Sequence, residues 1–320
     1  MAETRHLVVG VDLGGTNIQA GIVNERHKIL GRAKSKTNAD AGSKAVIDRI
    51  VKTIHEAIED AKVTPEQIIG VGIGAPGTVD SKKGIVRLAV NLRWNDYPLA
   101  SELKKKLKLP VTLDNDVNVG TWGEFVAGAA KGQKELLGVF VGTGIGGGLV
   151  LRGELYDGFF GTAGEIGHVI LHADGSLGRR TLENCASRTN IARQLSDLIR
   201  ANHPSSLARP NEATPENIRS KALAQAVQKK DPLTIEVVRQ AAKYTGIAIA
   251  NAVTVLSLPC VVVGGGLVEA LGETYVKWVR ETFNQYVFPP SLSQCKIVAS
   301  KLGDDAGVVG AADLALKRLS

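Results

Sequence analysis

Two short glycine-rich segments with the same surroundings constrain the fold of this chain more than any other feature. Asp12-Leu13-Gly14-Gly15-Thr16 follows the apolar run 7–11, and Gly142-Thr143-Gly144 follows the apolar run 138–141 about 130 residues later. A second apolar segment follows each turn. Both therefore predict a strand, a tight turn and another strand. The repetition suggests two related halves that face one cleft.

The remaining pattern is that of an α/β protein with two units. The chain has 320 residues, of which 44% are hydrophobic and 22% charged, so it has a globular composition and is long enough for two domains of ordinary size or one large one. Val46, Ile50, Ile54 and Ile58 recur at spacing four and predict a helix over residues 43–61. Strands are predicted at 68–73, 111–113 and 261–263. Helices are predicted from about 117, over 232–256 and over 307–319.

The charge balance and the cysteines bound the function class. Lys plus Arg exceed Asp plus Glu by 39 − 32 = +7, which can attract anions such as nucleotides or simply keep the surface soluble. The lysines of residues 104–108 alternate with leucines at helical spacing and have no aromatic neighbours, which argues against nucleic-acid binding. Cys185, Cys260 and Cys295 form no CxxC pair. With a polar start to the chain and no long apolar run, we predict a cytoplasmic protein without membrane contact.

The turns have the composition of phosphate-binding loops. Glycines expose backbone N–H groups without a Cβ in the way, and a threonine hydroxyl adds a donor. Gly14, Gly15, Thr16 and Asn17 fit this description, and Asp12 at the strand end could hold Mg²⁺ through water. One such turn would be an ordinary hairpin as often as a binding loop. A third glycine turn after a strand, at residues 264–266, favours nucleotide binding, although the chain has no P-loop motif.

A carboxylate that follows a strand is the candidate catalytic base. Phosphoryl transfer to an alcohol needs a group that accepts the hydroxyl proton, and the rest is positioning and charge neutralisation. Asp116 is our candidate, next to Asn115, and Asp114 is the alternative. Either aspartate could instead only cap the following helix.

Polar residues in a glycine-rich segment are candidates for binding a sugar. Glu165 and His168 lie in the segment 161–168, and Glu183 follows it. A single histidine is more often a structural residue than a ligand. No cysteine is close enough in the chain to suggest a metal site with His168.

Taken together, these segments resemble the ROK family of sugar kinases and repressors (repressor, open reading frame, kinase). The likeness covers nearly the whole chain, and the pieces occur in the family's order. They are residues 12–17, 74–77, 114–118 with Gly123 and Glu124, 142–148, 164–168, Leu182 with Glu183, and 264–266.

The resemblance implies an actin-like ATPase fold, a duplicated RNase H-like unit with two lobes around a central cleft. It implies a cytoplasmic ATP- and Mg²⁺-dependent hexose kinase of carbohydrate metabolism, such as a glycolytic glucokinase, and a homodimer. It implies Asp116 as the general base. Sugar contacts would come from Gly77, Asn115, Asp116, Glu165, His168 and Glu183. Phosphates, Mg²⁺ and adenosine would be held by Asp12, Gly14, Gly15, Thr16, Asn17, Thr143, Gly144, Gly265 and Gly266.

The chain departs from the family at the structural zinc site. Many members carry a CxCxxxxCxE cluster whose cysteines bind zinc together with the histidine of the segment that matches 164–168. Here Asp174, Ser176 and Thr181 stand at the cysteine positions. One remaining ligand cannot close a tetrahedral site, so we predict no zinc. Hydrogen bonds and Arg179 or Arg180 would order this loop instead.

Several alternatives remain at this stage. Residues 1–117 with about 298–320 would form a smaller lobe, and residues 118–297 a larger one. Glucose is the first choice of substrate, with N-acetylmannosamine, N-acetylglucosamine and fructose as alternatives and polyphosphate as an alternative donor. A sugar-responsive repressor would need a helix-turn-helix module, for which the residues before Leu7 leave no room. A mechanical ATPase would have no use for Glu165, His168 and Glu183 together.

Overall fold

The computed structural model describes residues 6–208 and 214–319. The strands are β1 (Leu7–Leu13), β2 (Asn17–Val23), β3 (Ile29–Lys36), β4 (Ile68–Ala75), β5 (Thr78–Asp80), β6 (Ile85–Ala89), β7 (Trp94–Tyr97), β8 (Val111–Asn115), β9 (Leu136–Val141), β10 (Ile145–Leu151), β11 (Glu154–Leu155), β12 (Cys260–Gly264) and β13 (Lys296–Ala299). The α-helices are α1 (Ser43–Ala61), α2 (Leu99–Leu107), α3 (Asp116–Val126), α4 (Leu182–Ala186), α5 (Arg188–Arg200), α6 (Ser220–Gln228), α7 (Pro232–Leu256), α8 (Gly266–Leu271), α9 (Glu273–Tyr286) and α10 (Ala306–Leu319).

Two five-stranded sheets repeat one topology. The first has the order β3-β2-β1-β4-β8 and the second has the order β11-β10-β9-β12-β13. In each sheet the first hairpin is antiparallel, and the last two strands run parallel to the strand that precedes the glycine turn. Strands β5, β6 and β7 form a small third sheet. The prediction of two related halves is confirmed.

Each sheet has its own core, formed by the residues that the sequence pattern selects. Helix α1 buries Val46, Ile50 and Ile54 completely and packs against β2 and β3. In the other half, the long helix α7 packs on α9, where Tyr275 and Phe283 are fully buried. The predicted helices over 43–61 and 232–256 are confirmed at both ends. No helix within the described ranges combines the length and apolar character that a membrane crossing needs.

Helices α3 and α10 connect the halves, because each follows a strand of one sheet and packs on the other sheet. Helix α3 follows β8 of the first sheet but packs on β9 and β10 of the second. Helix α10 follows β13 of the second sheet but packs on β1 and β4 of the first. The predicted lobe boundary near residue 298 therefore falls inside the last strand of the second sheet, and the division into lobes stays a prediction.

The two helices cross in backbone contact at a pair of glycines. A Cβ on Gly123 of α3 would lie 2.2 Å from the carbonyl oxygen of Ala306. A Cβ on Gly310 of α10 would lie 1.8 Å from the carbonyl oxygen of Val119. Val119 precedes Gly123 by four residues in α3, and Ala306 precedes Gly310 by four residues in α10. The two helices therefore make equivalent contacts, which repeat between the halves as the sheets do. No side chain can stand between the helices there.

We predict that Gly123→Ala destabilises the protein. The new methyl group would collide with a carbonyl oxygen that cannot move without shifting α10, and such overpacking costs about 1–3 kcal/mol. Gly120→Ala on the same helix is the control, because its Cβ would meet only the tip of the Phe140 ring, at 3.3 Å. Urea unfolding of both variants measures the difference. Equal midpoints would show that the crossing tolerates a side chain.

Candidate active site

A cleft of about 850 Å³ lies between the two sheets. Its walls come from both glycine-rich turns, from the end of β8 and from the segment before α4. Most of the predicted site residues line it, namely Gly15, Thr16, Gly77, Asn115, Asp116, Thr143, Gly144, Glu165, His168, Glu183 and Gly265. Asp12, Gly14, Asn17 and Gly266 are neighbours of these residues in the chain rather than lining residues.

The first turn connects β1 to β2 and is held from behind by Thr37. The backbone N–H of Gly14 donates to the carbonyl oxygen of Asn17 at 2.9 Å, which closes the turn. The buried hydroxyl of Thr37 donates to the Gly14 carbonyl at 2.7 Å, and its backbone N–H donates to the Thr16 carbonyl at 2.9 Å. The side-chain oxygen of Asn17 accepts from Lys36 at 3.0 Å. The turn is thus fixed, and the exposed Thr16 faces the cleft.

The second turn connects β9 to β10 and rests on the residues that begin α4 and α5. The carbonyl of Gly142 accepts from the backbone N–H of Arg188 at 2.9 Å, and the Thr143 carbonyl accepts from the Thr189 hydroxyl at 2.7 Å. One carboxylate oxygen of Glu183 accepts from the backbone N–H of Ile145 at 2.8 Å. Glu183 therefore supports the second glycine-rich turn and also lines the cleft.

The two candidate bases at the end of β8 have different surroundings. Asp114 is 4% exposed, pairs with Arg318 of α10, and accepts from Asn118 at 3.1 Å. Asp116 lines the cleft, and its Oδ1 accepts from the backbone N–H of Val117 at 2.9 Å. Asp114 is therefore occupied by structural contacts, which leaves Asp116 as the carboxylate that faces the cleft.

Asn115 caps helix α3, whereas the sequence pattern indicated Asp114 or Asp116 as possible capping residues. Its Oδ1 accepts from the backbone N–H groups of Val117 and Asn118 at 2.9 and 3.1 Å. Its Nδ2 donates to the carbonyl of Gly77 at 3.0 Å. Gly77 has φ +87, and a Cβ there would lie 2.0 Å from the carbonyl oxygen of Leu88, so only glycine fits. This contact fixes Asn115 and Gly77 together at one side of the cleft.

Burial raises the pKa of Asp116, which lines the cleft, and of Asp12, whose charge interacts with that of Asp116. It raises the pKa of Asp116 to about 6, although hydrogen bonds from Val117 and Asp116 N–H groups oppose the shift, and the charge of Glu165 adds to it. Burial also raises the pKa of Asp12 to about 7, with further increases from the charges of Asp116 and Asp304. Lys34 opposes that shift. These carboxylates bring negative charges close together, which suits a bound cation.

Glu165 and His168 reach the cleft on a short turn that packs against the second glycine-rich turn. Ile166–His168 forms a 3-10 turn, in which the backbone N–H of His168 donates to the Glu165 carbonyl at 3.1 Å. Both side chains are exposed and line the cleft. The structure thus brings Glu165 and His168 to the same cleft as Asp116, as the sequence predicted.

Hydrogen bonds order the loop that replaces the zinc site. A bridge pairs Ile170 with Thr181, and the backbone N–H of Leu182 donates to the Val169 carbonyl at 3.0 Å. The Arg180 guanidinium donates to the Gly175 carbonyl at 2.7 Å. Arg179 contributes its backbone carbonyl, which accepts a hydrogen bond from the Cys185 thiol at 3.5 Å. Within residues 6–208 and 214–319, no three His, Cys, Asp or Glu side chains form a metal-binding group. The absence of zinc stays a prediction.

Sequence reasoning missed the residues that support the site from elsewhere in the chain. Thr37, Thr189 and Arg318 hold the first turn, the second turn and Asp114 respectively. None of them lies in a motif. Asn118 carried a signal, because it belongs to the segment 114–118 that resembles the family, and its side chain donates to Asp114.

The repeated sheets, the crossing helices and the paired turns around one cleft define the actin-like ATPase fold with two lobes. The model of the ROK family matches residues 8–318, and the chain belongs to that family. It is 35% identical to a glucokinase of Thermotoga maritima over 317 residues, which covers 98% of each chain. It is 34% identical to a glucokinase of Halalkalibacterium halodurans over 307 residues, which covers 94% of this chain and 92% of that one. A crystal structure of a ROK family glucokinase from Streptomyces griseus, in complex with glucose and AMPPNP, matches with a TM-score of 0.85 and 31% identity, covering 97% of this chain and 99% of that one.

Proposed function

We propose that this protein is an ATP-dependent hexose kinase that transfers the γ-phosphate of ATP to the 6-hydroxyl of glucose. The observation that carries the proposal is Asp116. It is a carboxylate without an ion-pair partner among the described residues, and it faces a cleft between two glycine-rich turns. The glucokinase relatives and the glucose and AMPPNP of the Streptomyces griseus structure support the choice of glucose and ATP.

The donor lies along the two turns in this proposal. Backbone N–H groups of Gly15 and Gly144, with the Thr16 and Thr143 hydroxyls, bind phosphate oxygens. Gly14 and Asn17 hold the first turn in shape, because the Gly14 N–H donates to the Asn17 carbonyl and the Asn17 side chain accepts from Lys36. Asp12 holds Mg²⁺ through water, since Mg²⁺ keeps several waters and is usually held by one or two carboxylates and the phosphates. The adenosine lies beside Gly265 and Gly266.

The sugar occupies the side of the cleft where Asn115 and Gly77 are joined. Hydroxyl groups need both donors and acceptors around the ring. The fixed pair supplies amide and carbonyl groups, while Glu165, His168 and Glu183 complete the set. N-acetylmannosamine, N-acetylglucosamine and fructose are the alternative hexoses, because a pocket with these groups can favour any of them.

Asp116 acts as the general base during transfer. It accepts the proton of the 6-hydroxyl while the oxygen attacks the γ-phosphorus and the bond to the β-phosphate oxygen breaks, which leaves ADP. With a pKa of about 6, the carboxylate is mostly ionised at neutral pH and still basic enough to accept a proton. Closure of the lobes excludes water from the γ-phosphate, which limits wasteful hydrolysis. We further propose that the enzyme works in the cytoplasm as a homodimer, without nucleic-acid or membrane partners.

A coupled ADP-release assay with a hexose panel tests the function. We expect that glucose stimulates ADP release from ATP and Mg²⁺ more than N-acetylmannosamine, N-acetylglucosamine or fructose does. Release that ignores every hexose would overturn the kinase proposal and favour a mechanical ATPase. Stronger stimulation by another hexose would leave the reaction intact but change the substrate.

We predict that Asp116→Asn lowers kcat by about 10²- to 10⁴-fold, because the amide cannot accept the proton. ADP affinity, measured by calorimetry, should stay within about twofold of wild type. Asp114→Asn is the matched control. It weakens the buried pair with Arg318 and should therefore lower thermal stability more than the turnover of the folded protein. Near-normal turnover of Asp116→Asn would remove Asp116 as the base.

We predict that kcat/KM for glucose rises with pH through about 6 and then levels. Asp116 must be ionised to act, and burial raises its pKa to about 6, so activity falls as pH decreases below that value. The profile should lose about tenfold per pH unit at its acid end, since a single proton inactivates the base. Measurement at saturating ATP and Mg²⁺ keeps metal binding from adding its own pH dependence. A profile that is flat down to pH 4.5 would contradict this assignment.

A further inference from the structure

Arg188 lies beside the second glycine-rich turn, and Arg219 is close enough to repel its charge. Arg188 is the first residue of α5, and its half-buried guanidinium donates to the Thr143 hydroxyl at 3.0 Å. Arg219 immediately precedes α6, and its guanidinium donates to the backbone carbonyl of Glu216 at 3.3 Å. In the part of the chain that the structure describes, neither arginine forms an ion pair.

The surroundings of Arg188 within the protein are electrostatically unfavourable for its charge. Burial lowers the pKa of Arg188, and repulsion from Arg219 lowers it further. A cation at the first residue of a helix also opposes the helix dipole. The backbone N–H of Arg188 donates to the Gly142 carbonyl, a hydrogen bond that any residue except proline could make. Stability therefore gives no reason for an arginine here, and such local conflicts are expected at functional sites.

Residues next to Arg188 and Arg219 line two cavities that share the glycine turn 264–266. Thr143, the partner of Arg188, lines the main cleft together with Gly265. Ser220, which follows Arg219, lines a neighbouring cavity of about 560 Å³ together with Gly266. Arg188 thus contacts a lining residue of the cleft, and Arg219 directly precedes a lining residue of the neighbouring cavity. Phosphates bound at the second glycine-rich turn would therefore lie within reach of positive charge.

We propose that Arg188 binds the non-transferred phosphates of the nucleotide donor, with Arg219 adding charge on the adenosine side. This inference rests on the proposed kinase function. A guanidinium has five N–H donors, and the contact with Thr143 uses one of them, so the others can bind phosphate oxygens in a forked geometry. The same contact holds the guanidinium and the Thr143 hydroxyl together at the second turn.

Steady-state kinetics of Arg188→Ala test the proposal. We expect KM for ATP to rise about tenfold to a hundredfold, which corresponds to the loss of one or two charge-assisted hydrogen bonds. KM for glucose at saturating ATP and kcat should stay within about threefold of wild type. Arg188→Lys should recover part of the loss, because it keeps the charge but not the fork. Arg193→Ala, at an exposed position of the same helix, is the control and should match wild type.

Calorimetry separates phosphate binding from a structural role. Arg188→Ala should bind ADP about tenfold or more weakly, while its affinity for adenosine stays unchanged. Its melting temperature should be equal to that of wild type or higher, because an unfavourable charge is removed. Equal losses for adenosine and ADP would show that Arg188 only supports the turn and would overturn the inference, as would an unchanged KM for ATP. A wild-type protein that no hexose stimulates would instead refute the kinase function, and the ADP and adenosine measurements would still test Arg188.

Discussion

The backbone contact between α3 and α10 is the constraint on which the two-lobed arrangement depends. Each helix leaves one sheet and packs on the other, so the relative position of the sheets is set where the helices touch. The contact is close because Gly123 and Gly310 have no side chains to interdigitate. Glu124, fully buried next to this point, accepts hydrogen bonds from Ser300, Lys301 and Leu302 and so fixes the chain that leads from β13 to α10. A close helix crossing without interdigitated side chains, next to a segment held by hydrogen bonds, is suited to act as a hinge between the lobes.

The cleft that this arrangement creates carries charges of both signs in separate places. Asp12 and Asp116 come from the first half, and burial raises the pKa of both. Arg188 and Arg219 come from the second half and lie beside the other turn. A donor that combines a divalent cation with a polyanionic chain would neutralise both regions at once. This distribution of charge is complementary to the Mg²⁺–nucleotide donor that we propose.

The sequence predicted what depends on local pattern and failed where partners come from distant segments. The glycine turns, the apolar spacing of α1 and the strand predicted at 111–113 indicated strands and helices in two related halves, because glycine turns and periodicity are local signals. The actin-like fold itself came from the resemblance to the ROK family. The choice between Asp114 and Asp116 needed the structure, since Arg318 stands 204 residues after Asp114 in the chain. Arg188 escaped notice for the same reason, because one arginine at the start of a helix has no motif around it.

Glu183 has a consequence for how the two substrates influence each other. One of its carboxylate oxygens accepts from Ile145 and so supports the turn proposed for the phosphates, while the side chain also lines the cleft that we propose for the sugar. A sugar hydroxyl bound to Glu183 would stiffen that turn before the nucleotide arrives. Hexose and nucleotide would then bind synergistically, and thermodynamic reciprocity requires each to strengthen the other by the same factor.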